Sequence, residues 1–213
     1  MSEAPVVAVL LDLVGSRQLE QRDVIQLEIE AGFASLAEIV PAIEPLHPTV
    51  GDEFQAVYSS LPAALRAALH ARLSLPDGVD CRVGLGQGEI RVIGLGIAGS
   101  LQDGPAWWRA RTAINRAHEL EDGAVSTARS WFVGPDDPKL EEAAVNAYLL
   151  ARDALIAPMS ARDRRLVLGT MRGTSQKTLA EQESISQSAV SQALRRAGAG
   201  ALAAGTRLFE DVS

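Results

Sequence analysis

Two aspartates stand where carboxylates can hold a metal ion. Asp12 ends a run of six apolar residues, and Asp52 follows Gly51 at the bend of a predicted hairpin, with Glu53 directly after it. Carboxylate oxygens are the ligands that Mg²⁺ prefers, and the ion keeps waters for a phosphate-bearing ligand. The same residues suit a loop cap at Asp12 and an ordinary turn at Gly51 and Asp52. The residue types therefore leave a metal site and a simple turn both open.

Backbone groups that suit a phosphate follow Asp12 closely. Gly15 and Ser16 lie shortly before a predicted helix, and backbone N–H groups near a helix start favour a phosphate. Two metal-bridging aspartates beside such groups are what phosphoryl chemistry requires. A metal site at the two aspartates would therefore take a phosphate-bearing ligand.

The elements that must position these aspartates alternate between strands and helices. The run Val6–Leu11 is apolar throughout, as in a strand that is buried on both faces. The order β-α-β-β-α-β is that of the ferredoxin-like fold, whose central first strand lies beside the hairpin and brings Asp12 near Asp52. The predicted ranges are 22–40 for the first helix, 49–58 for the hairpin, 61–75 for the second helix and 80–90 for the next strand.

The rest of the chain completes an α+β protein with three predicted parts. Residues 1–137 predict a ferredoxin-like domain with an antiparallel sheet, 138–158 a helical linker, and 159–213 a small all-α domain. Within the first part, the further predictions are a glycine-rich loop at 91–102, a helix at 103–119 and a weak strand at 124–133.

The last part of the chain has the spacing of a helix-turn-helix. Ser160 and Asp163 predict a capping box at the start of one helix, and Ser186 caps a later one. The pattern departs from helix-turn-helix repressors at Glu183 and Ser184, where an apolar residue and a glycine are more usual. The two short helices are predicted at 176–182 and 187–197, with the turn at 183–185. The residues predicted to face inward are Leu179, Ala180, Ile185, Val190 and Leu194.

The outward face of this unit is polar and basic. Early residues of a recognition helix reach base edges, where glutamine can hydrogen-bond adenine and serine can hydrogen-bond several bases. Arginines near the end of the helix contact phosphates instead. The predicted contacts to double-stranded DNA are Lys177, Gln187, Ser188, Ser191, Gln192, Arg195 and Arg196. A helical hairpin that serves dimerisation and leaves a solvated polar face has the same pattern, and it stays open.

The charge of the chain is divided between its two ends. Residues 1–150 contain 11 Lys and Arg against 21 Asp and Glu, a net charge of −10, whereas residues 151–213 contain 9 against 6, a net charge of +3. A basic tail on an acidic body favours a polyanion as a partner. Chance segregation of solvated charges gives the same counts.

The composition excludes several classes of protein. The single cysteine, Cys81, leaves no intrachain disulfide and no cysteine-rich zinc site, and the three histidines lack zinc-ligand spacing. No apolar stretch reaches the roughly 20 residues that span a bilayer. The first residues lack the basic leader of a signal peptide. We therefore expect a cytoplasmic protein with no membrane partner.

Four segments of the chain resemble the SatD family. They are Asp12-Leu-Val-Gly-Ser-Arg17, Gly51-Asp-Glu-Phe-Gln55, Arg82-Val-Gly-Leu-Gly-Gln-Gly-Glu89 and Asp103-Gly-Pro-Ala-Trp-Trp-Arg-Ala-Arg111. The resemblance extends over nearly the whole chain, including the helix-turn-helix, and it implies an architecture more than an activity.

The first two segments are also distantly similar to class III nucleotidyl cyclase and GGDEF diguanylate cyclase domains. Those domains use two strand-end aspartates to hold Mg²⁺ on a nucleoside triphosphate. The similarity implies that Asp12 and Asp52, with Glu53, hold the metal. The nucleotide contacts that it implies are Gly15, Ser16, Arg17, Gly51 and Arg111.

The chain departs from the cyclase pattern at the residues that would assist catalysis. The positions of the cyclase asparagine and arginine hold Trp108 and Thr112, and Arg111 lies one residue away from the second of them. Val50 replaces the first glycine of the GGDEF signature. A binding domain without catalysis and a working cyclase therefore both remain open, and no catalytic residue is assigned.

The sequence leads to one main hypothesis about function and two others. The main hypothesis is a DNA-binding transcription regulator. By analogy with other helix-turn-helix proteins it would be a homodimer. Its cyclase-like domain would bind a nucleotide with Mg²⁺ or serve as a dimerisation platform. The alternative is a Mg²⁺-dependent nucleotidyl cyclase or nucleotidyltransferase that uses Asp12 and Asp52. A module that binds RNA or protein through its basic tail is a third hypothesis.

Overall fold

The computed structural model describes residues 5–15, 22–49, 51–96, 99–135 and 139–211. In these residues the chain forms a mixed α+β structure. Its strands are β1 (Val6–Val14), β2 (Glu44–Pro48), β3 (Glu53–Tyr58), β4 (Asp80–Gly88), β5 (Arg91–Gly96), β6 (Gly99–Asp103) and β7 (Ser130–Val133). Its helices are α1 (Arg22–Ala37), α2 (Leu61–Ser74), α3 (Pro105–Asp122), α4 (Lys139–Ile156), α5 (Ala161–Met171), α6 (Gln176–Gln182), α7 (Gln187–Arg196) and α8 (Ala199–Glu210).

The main sheet has the strand order β2-β3-β1-β4-β7. The central strand β1 pairs antiparallel with β3 on one side and with β4 on the other. The prediction of a purely antiparallel sheet is wrong at β7, which pairs with β4 in parallel. The reason is that α3 carries the chain back across the sheet between these two strands, and parallel neighbours need such a crossover.

A second, two-stranded sheet is formed by β5 and β6, which pair antiparallel. The prediction of a glycine-rich loop over residues 91–102 is therefore wrong. Glycine lowers strand propensity, and the run of glycines concealed the alternation that marks a strand.

The central strand is buried on both faces, as its continuous apolar run predicts. Val7, Val9 and Leu11 belong to a core cluster with residues of α1 and α2. The alternate residues Ala8 and Leu10 pack against α3. The sheet thus lies between α1 and α2 on one face and α3 on the other.

The close approach of α3 to β4 depends on glycine. A Cβ atom on Gly86 would lie 2.2 Å from the carbonyl oxygen of Ala106 and 2.2 Å from the amide of Ala110. Gly84 has the same relation to α3, since a Cβ there would lie 2.3 Å from the carbonyl oxygen of Ala110. The backbones of α3 and β4 are therefore in contact with no side chain between them.

The outer edge of β7 is covered by polar side chains of α4. The Asn146 side chain accepts a hydrogen bond from the Phe132 amide and donates one to the Phe132 carbonyl, at 2.8 and 2.9 Å. The Glu142 carboxylate accepts one from the Gly134 amide at 2.9 Å. These bonds replace the missing neighbouring strand, so this edge is not open to pairing.

The C-terminal helices share a hydrophobic core with α2. Leu69 and Leu73 of α2 lie in one buried cluster with Leu166 of α5, Val190 of α7 and Leu202 of α8. The helical region at 159–213 therefore packs on the sheet-bearing part of the chain, and its division from residues 1–137 stays a prediction. In the part of the chain that the structure describes, no helix is long and apolar enough to cross a membrane.

A buried histidine lies beside this shared core. His70 of α2 is 1% exposed, and its burial, with the nearby charges of Arg66 and Arg172, lowers its pKa from 6.5 to about 4. The unfolded chain therefore binds a proton at this histidine between pH 6.5 and 4, whereas the folded chain does not. This difference costs stability as the pH falls through that window.

We expect this one histidine to make the free energy of unfolding smaller by about 3 kcal/mol at pH 4 than at pH 7. Urea unfolding across that range, compared between the natural chain and His70→Leu, isolates the contribution because the carboxylates titrate in both. The exposed His118 provides a matched control, His118→Gln. Equal pH dependence of the natural chain and His70→Leu would show that the buried imidazole is not the cause.

Candidate functional site

The predicted metal ligands lie together at one end of the main sheet. In the strand register, Asp12 of β1 stands directly opposite Glu53 of β3 and opposite Arg82 of β4. The Leu13 amide donates a hydrogen bond to the Asp52 carbonyl at 3.1 Å. The cross-strand neighbour of Asp12 is therefore Glu53, and Asp52 lies at the adjoining turn.

Arginines from two other elements bind the carboxylates at this end of the sheet. Arg82 Nη1 lies 3.4 Å from Asp12 Oδ2, and its Nε lies 2.5 Å from the Glu121 carboxylate of α3. Arg111 of α3 makes a two-point contact with Glu53, with Nη1 to Oε2 at 2.7 Å and Nη2 to Oε1 at 3.0 Å. The predicted nucleotide contact Arg111 is thus bonded to the predicted metal ligand Glu53.

The donor set has the right chemistry for Mg²⁺ but is occupied by arginine. Carboxylate oxygens suit the ion, but an arginine is bonded to Asp12 and another to Glu53, so a cation at either carboxylate competes with an arginine. Among the described residues, no group of three or more His, Cys, Asp or Glu side chains is arranged to hold a metal. Asp12 with Asp52 is the pair that would hold an ion at this end.

The glycines predicted to contact a nucleotide lie at two turns beside these carboxylates. Gly15 follows β1 with a φ of +86°, and Gly51 has a φ of +73° at the turn between β2 and β3. Ser16 and Arg17, which were predicted to bind the nucleotide with them, lie outside the described residues.

A cleft of about 540 Å³ adjoins the same end of the sheet, between the sheet face, β6 and the start of α3. Trp107 packs against the core of α3 and the sheet, whereas Trp108 is 60% exposed. Adjacent helical residues face different directions, so only one of the two tryptophans packs inward. The cleft is lined by Leu10, Glu44, His47, Gln55, Leu101, Gln102, Trp107, Trp108 and Arg111.

The sequence assigned no role to Arg82 or Glu121, although both belong to this site. Arg82 lies two residues before Gly84 in β4, so the period of two places it with the glycines on the face that packs against α3, and it stands opposite Asp12 in the register. That spacing was the available signal. Glu121 lies 39 residues from Arg82 in the chain, and only the packing of α3 brings the two together.

The helices α6 and α7 are short and are separated by four residues, 183–186, of which Ser186 is the N-cap of α7. The Ser186 hydroxyl accepts a hydrogen bond from the Ala189 amide at 3.1 Å, which confirms the predicted cap of α7. The predicted capping box of Ser160 and Asp163 at the start of α5 is also confirmed. Ser184 in the turn has a φ of +54°, the left-handed conformation that glycine more often supplies.

The residues predicted to face inward lie in the core of this unit. Leu179, Ala180, Val190 and Leu194 are buried, and Ile185 packs against them partly buried. The two helices thus cross over an apolar centre that α5 and α2 complete.

The predicted DNA contacts lie mainly on one exposed surface. Six of the seven side chains are exposed, and Ser191 is half-buried. Arg196 also has a partner within the chain, because its Nη2 lies 3.1 Å from the Asp163 carboxylate of α5. The remaining exposed members of the predicted set are Lys177, Gln187, Ser188, Gln192 and Arg195.

The sheet-bearing part of the fold is similar to nucleotidyl cyclase structures. It is similar to a bacterial light-regulated adenylyl cyclase, with 12% identity over 55% of this chain and 72% of that chain and a TM-score of 0.45. It is similar to an adenylate cyclase from Trypanosoma brucei, with 21% identity over 53% and 69% and a TM-score of 0.41. The adenylyl cyclase CyaB from P. aeruginosa has 10% identity over 56% and 81%, with a TM-score of 0.40.

Within the described residues, the fold is that of a mixed α+β protein with a five-stranded main sheet. The sequence profile of the SatD family matches residues 6–202, and the chain belongs to that family. No curated protein matches the chain at a significant level.

Proposed function

We propose that the protein binds double-stranded DNA through α6 and α7, as a regulator of transcription. The observation that carries the proposal is the left-handed turn at Ser184, which joins two helices over a buried Ala180 and Val190. This is the local geometry in which the second helix of a helix-turn-helix enters the major groove. The cyclase-like sheet at residues 1–137 would then serve as a ligand-binding or dimerisation platform for a homodimer.

The chemistry of the exposed surface supports this partner. Gln187 and Gln192 present amides, which can bond adenine through two hydrogen bonds. Arg195 near the end of α7 and Lys177 near the start of α6 suit phosphates. The acidic remainder of the chain repels a polyanion, so only this basic end favours its approach.

We expect Arg195→Ala to weaken duplex binding about tenfold and to lower the slope of log affinity against log salt by about one, because one phosphate contact is lost. The measurement is fluorescence anisotropy with a labelled mixed-sequence duplex at low and moderate salt. Arg207→Ala removes the same charge from an exposed position on α8 and is the matched control. If both variants weaken duplex binding equally, the proposed phosphate contact of Arg195 on α7 is wrong.

A second candidate function is Mg²⁺-dependent binding, or turnover, of a nucleoside triphosphate at the sheet end. It is favoured by the cleft that Trp108 and Arg111 line, because Arg111 also binds Glu53, the cross-strand neighbour of Asp12. An exposed tryptophan can stack on a base, and Arg111 can bind a phosphate after it leaves Glu53. Bound Mg²⁺ would neutralise the charge of the phosphates. Asp12 and Asp52 are the residues we would assign to the ion.

We expect Asp52→Ala to abolish Mg²⁺-dependent nucleotide binding if this second function is real, because the substitution removes one of the two assigned ligands. The measurement is calorimetry with each nucleoside triphosphate in the presence of Mg²⁺ or Mn²⁺, with product analysis for turnover. Asp122→Ala changes an exposed carboxylate at the end of α3 and is the control. Absence of nucleotide binding by the unaltered chain would eliminate this candidate.

A further inference from the structure

Three consecutive residues of α5 bind three different parts of the molecule. Asp163 binds Arg196 at the end of α7, with 3.1 Å between the carboxylate and the guanidinium. Arg164 donates hydrogen bonds to the carbonyls of Pro76 and Val79, before β4, at 3.0 Å each. Arg165 binds Glu183, which ends α6. This one helix therefore joins the sheet-bearing part of the chain to the end of α6 and to the end of α7.

The contact between Arg165 and Glu183 holds the turn of the helix-turn-helix. The Nε and Nη2 atoms of Arg165 donate to the two carboxylate oxygens of Glu183 at 2.7 Å each. The hydrogen bond from Arg165 holds the pKa of the Glu183 carboxyl below its ordinary value. A planar two-point contact of this kind fixes orientation as well as distance. The position that is usually apolar in such a turn is thus held by an ion pair.

We infer that α5 is the positioning element that sets the orientation of α7 for reading base edges, through Arg165–Glu183 at the turn and Asp163–Arg196 at the far end. The inference rests on the proposed DNA binding. The core contacts of Val190 and Leu194 hold α7 against its neighbours, but apolar contacts are not directional. Base-reading contacts need placement within roughly 0.5 Å, which directional contacts at both ends supply.

The consequence for the DNA surface is a division of roles. Gln187 follows Glu183 by four residues, so the direction of the turn decides where its amide lies. Arg196 acts through Asp163 as a positioning residue. The structure gives no such contact between Arg195 and α5, so Arg195 is the residue assigned to bind phosphate. Loss of the ion pair at the turn should therefore reduce sequence discrimination more than it reduces general attraction to DNA.

A charge exchange tests this directly. The full chain is first used to select duplexes from a random pool of about 20 base pairs, a length that holds two half-sites. Its affinity for the enriched duplex is then compared with its affinity for a scrambled duplex of the same composition. We expect Arg165→Glu to lower the ratio of these affinities about tenfold, and the exchanged pair Arg165→Glu/Glu183→Arg, whose net charge equals that of the natural chain, to restore most of it. Arg207→Glu makes the same charge change at an exposed position on α8 and should leave the ratio nearly unchanged.

The outcomes separate this inference from the proposed function. A natural chain that binds no duplex overturns both. If the natural chain binds and discriminates, two results overturn the inference alone. One is that Arg165→Glu behaves as Arg207→Glu does. The other is that the exchanged pair fails to restore the ratio although it unfolds at the same temperature as the natural chain. Should Arg165→Glu not fold, Glu183→Gln removes the ion pair without introducing a like-charge contact, and the same loss of discrimination is expected.

Discussion

Replacing Asp153 with alanine is expected to lower the free energy of unfolding by about 4 kcal/mol, because the change leaves buried cations and donors without their acceptor. The Asp153 side chain is fully buried. Its carboxylate accepts hydrogen bonds from the amides of Arg129 and Ser130 at 2.9 and 2.7 Å, and it lies 3.0 Å from Arg72 Nη1. One carboxylate therefore joins α4, the start of β7 and α2.

The size of the expected loss comes from the partners that remain. Arg72 keeps a two-point contact with Asp80, at 2.7 and 2.9 Å, but loses its second carboxylate. Arg152, also buried, keeps its bonds to the Ser130 hydroxyl and the Leu65 carbonyl but loses the carboxylate 3.6 Å from its Nε. Breaking a buried ion pair from one side costs more than the pair contributes, because a charge stays in the interior.

Urea denaturation measures this loss, and an exposed carboxylate provides the control. Asp122→Ala at the end of α3 removes an equal charge from the surface and should change the free energy of unfolding by less than about 0.5 kcal/mol. A loss below about 1 kcal/mol for Asp153→Ala would contradict the view that this carboxylate joins the three elements.

Gly86→Ala is expected to lower the free energy of unfolding by about 3 kcal/mol or more, because the new methyl group meets backbone rather than a movable side chain. The Cβ would lie 2.2 Å from both the Ala106 oxygen and the Ala110 nitrogen. Relief of this clash requires the first half of α3 to move away from β4. Arg111 and Trp108 lie in that half, so the same movement separates Arg111 from Glu53 and opens the cleft.

Gly94→Ala is the control for this second substitution. Gly94 lies in β5, where an added Cβ has no neighbour within 4 Å among the described residues. Its free energy of unfolding should change by less than about 1 kcal/mol. Urea unfolding followed by tryptophan fluorescence reports both the stability and the surroundings of α3. Equal stability of the two variants would mean that α3 does not lie against β4 as described.

The parts of the fold that could be predicted from sequence are those encoded by local patterns. The apolar run at Val6–Leu11 correctly indicated a strand that is covered on both faces. The serines before α5 and α7 correctly indicated their caps. Each of these features depends on residues that are close in the chain, so their pattern is visible without the fold.

The parts that could not be predicted depend on distant contacts. The four residues of β7 are too few to show a period, and its edge is stabilised by side chains of α4 rather than by another strand. Leu69 and Leu73 read as ordinary core residues of α2, yet they face the C-terminal helices.

The candidate site was predicted in part. The adjacency of Asp12 and the turn at Asp52 followed from the predicted strand order. The arginine partners did not, because Arg82 and Arg111 lie 70 and 58 residues from the carboxylates that they bind. At Ser184 the sequence departs from the usual glycine, but the backbone keeps the left-handed turn that glycine favours.

The most direct test of the central claim is a salt titration of duplex binding by the full chain. A labelled mixed-sequence duplex is titrated with protein from about 50 to 200 mM salt, where phosphate contacts lose affinity steeply. The proposed role of α7 predicts binding at low salt that weakens with salt, and a smaller slope for Arg195→Ala than for Arg207→Ala. Absence of duplex binding at the lowest salt would contradict it.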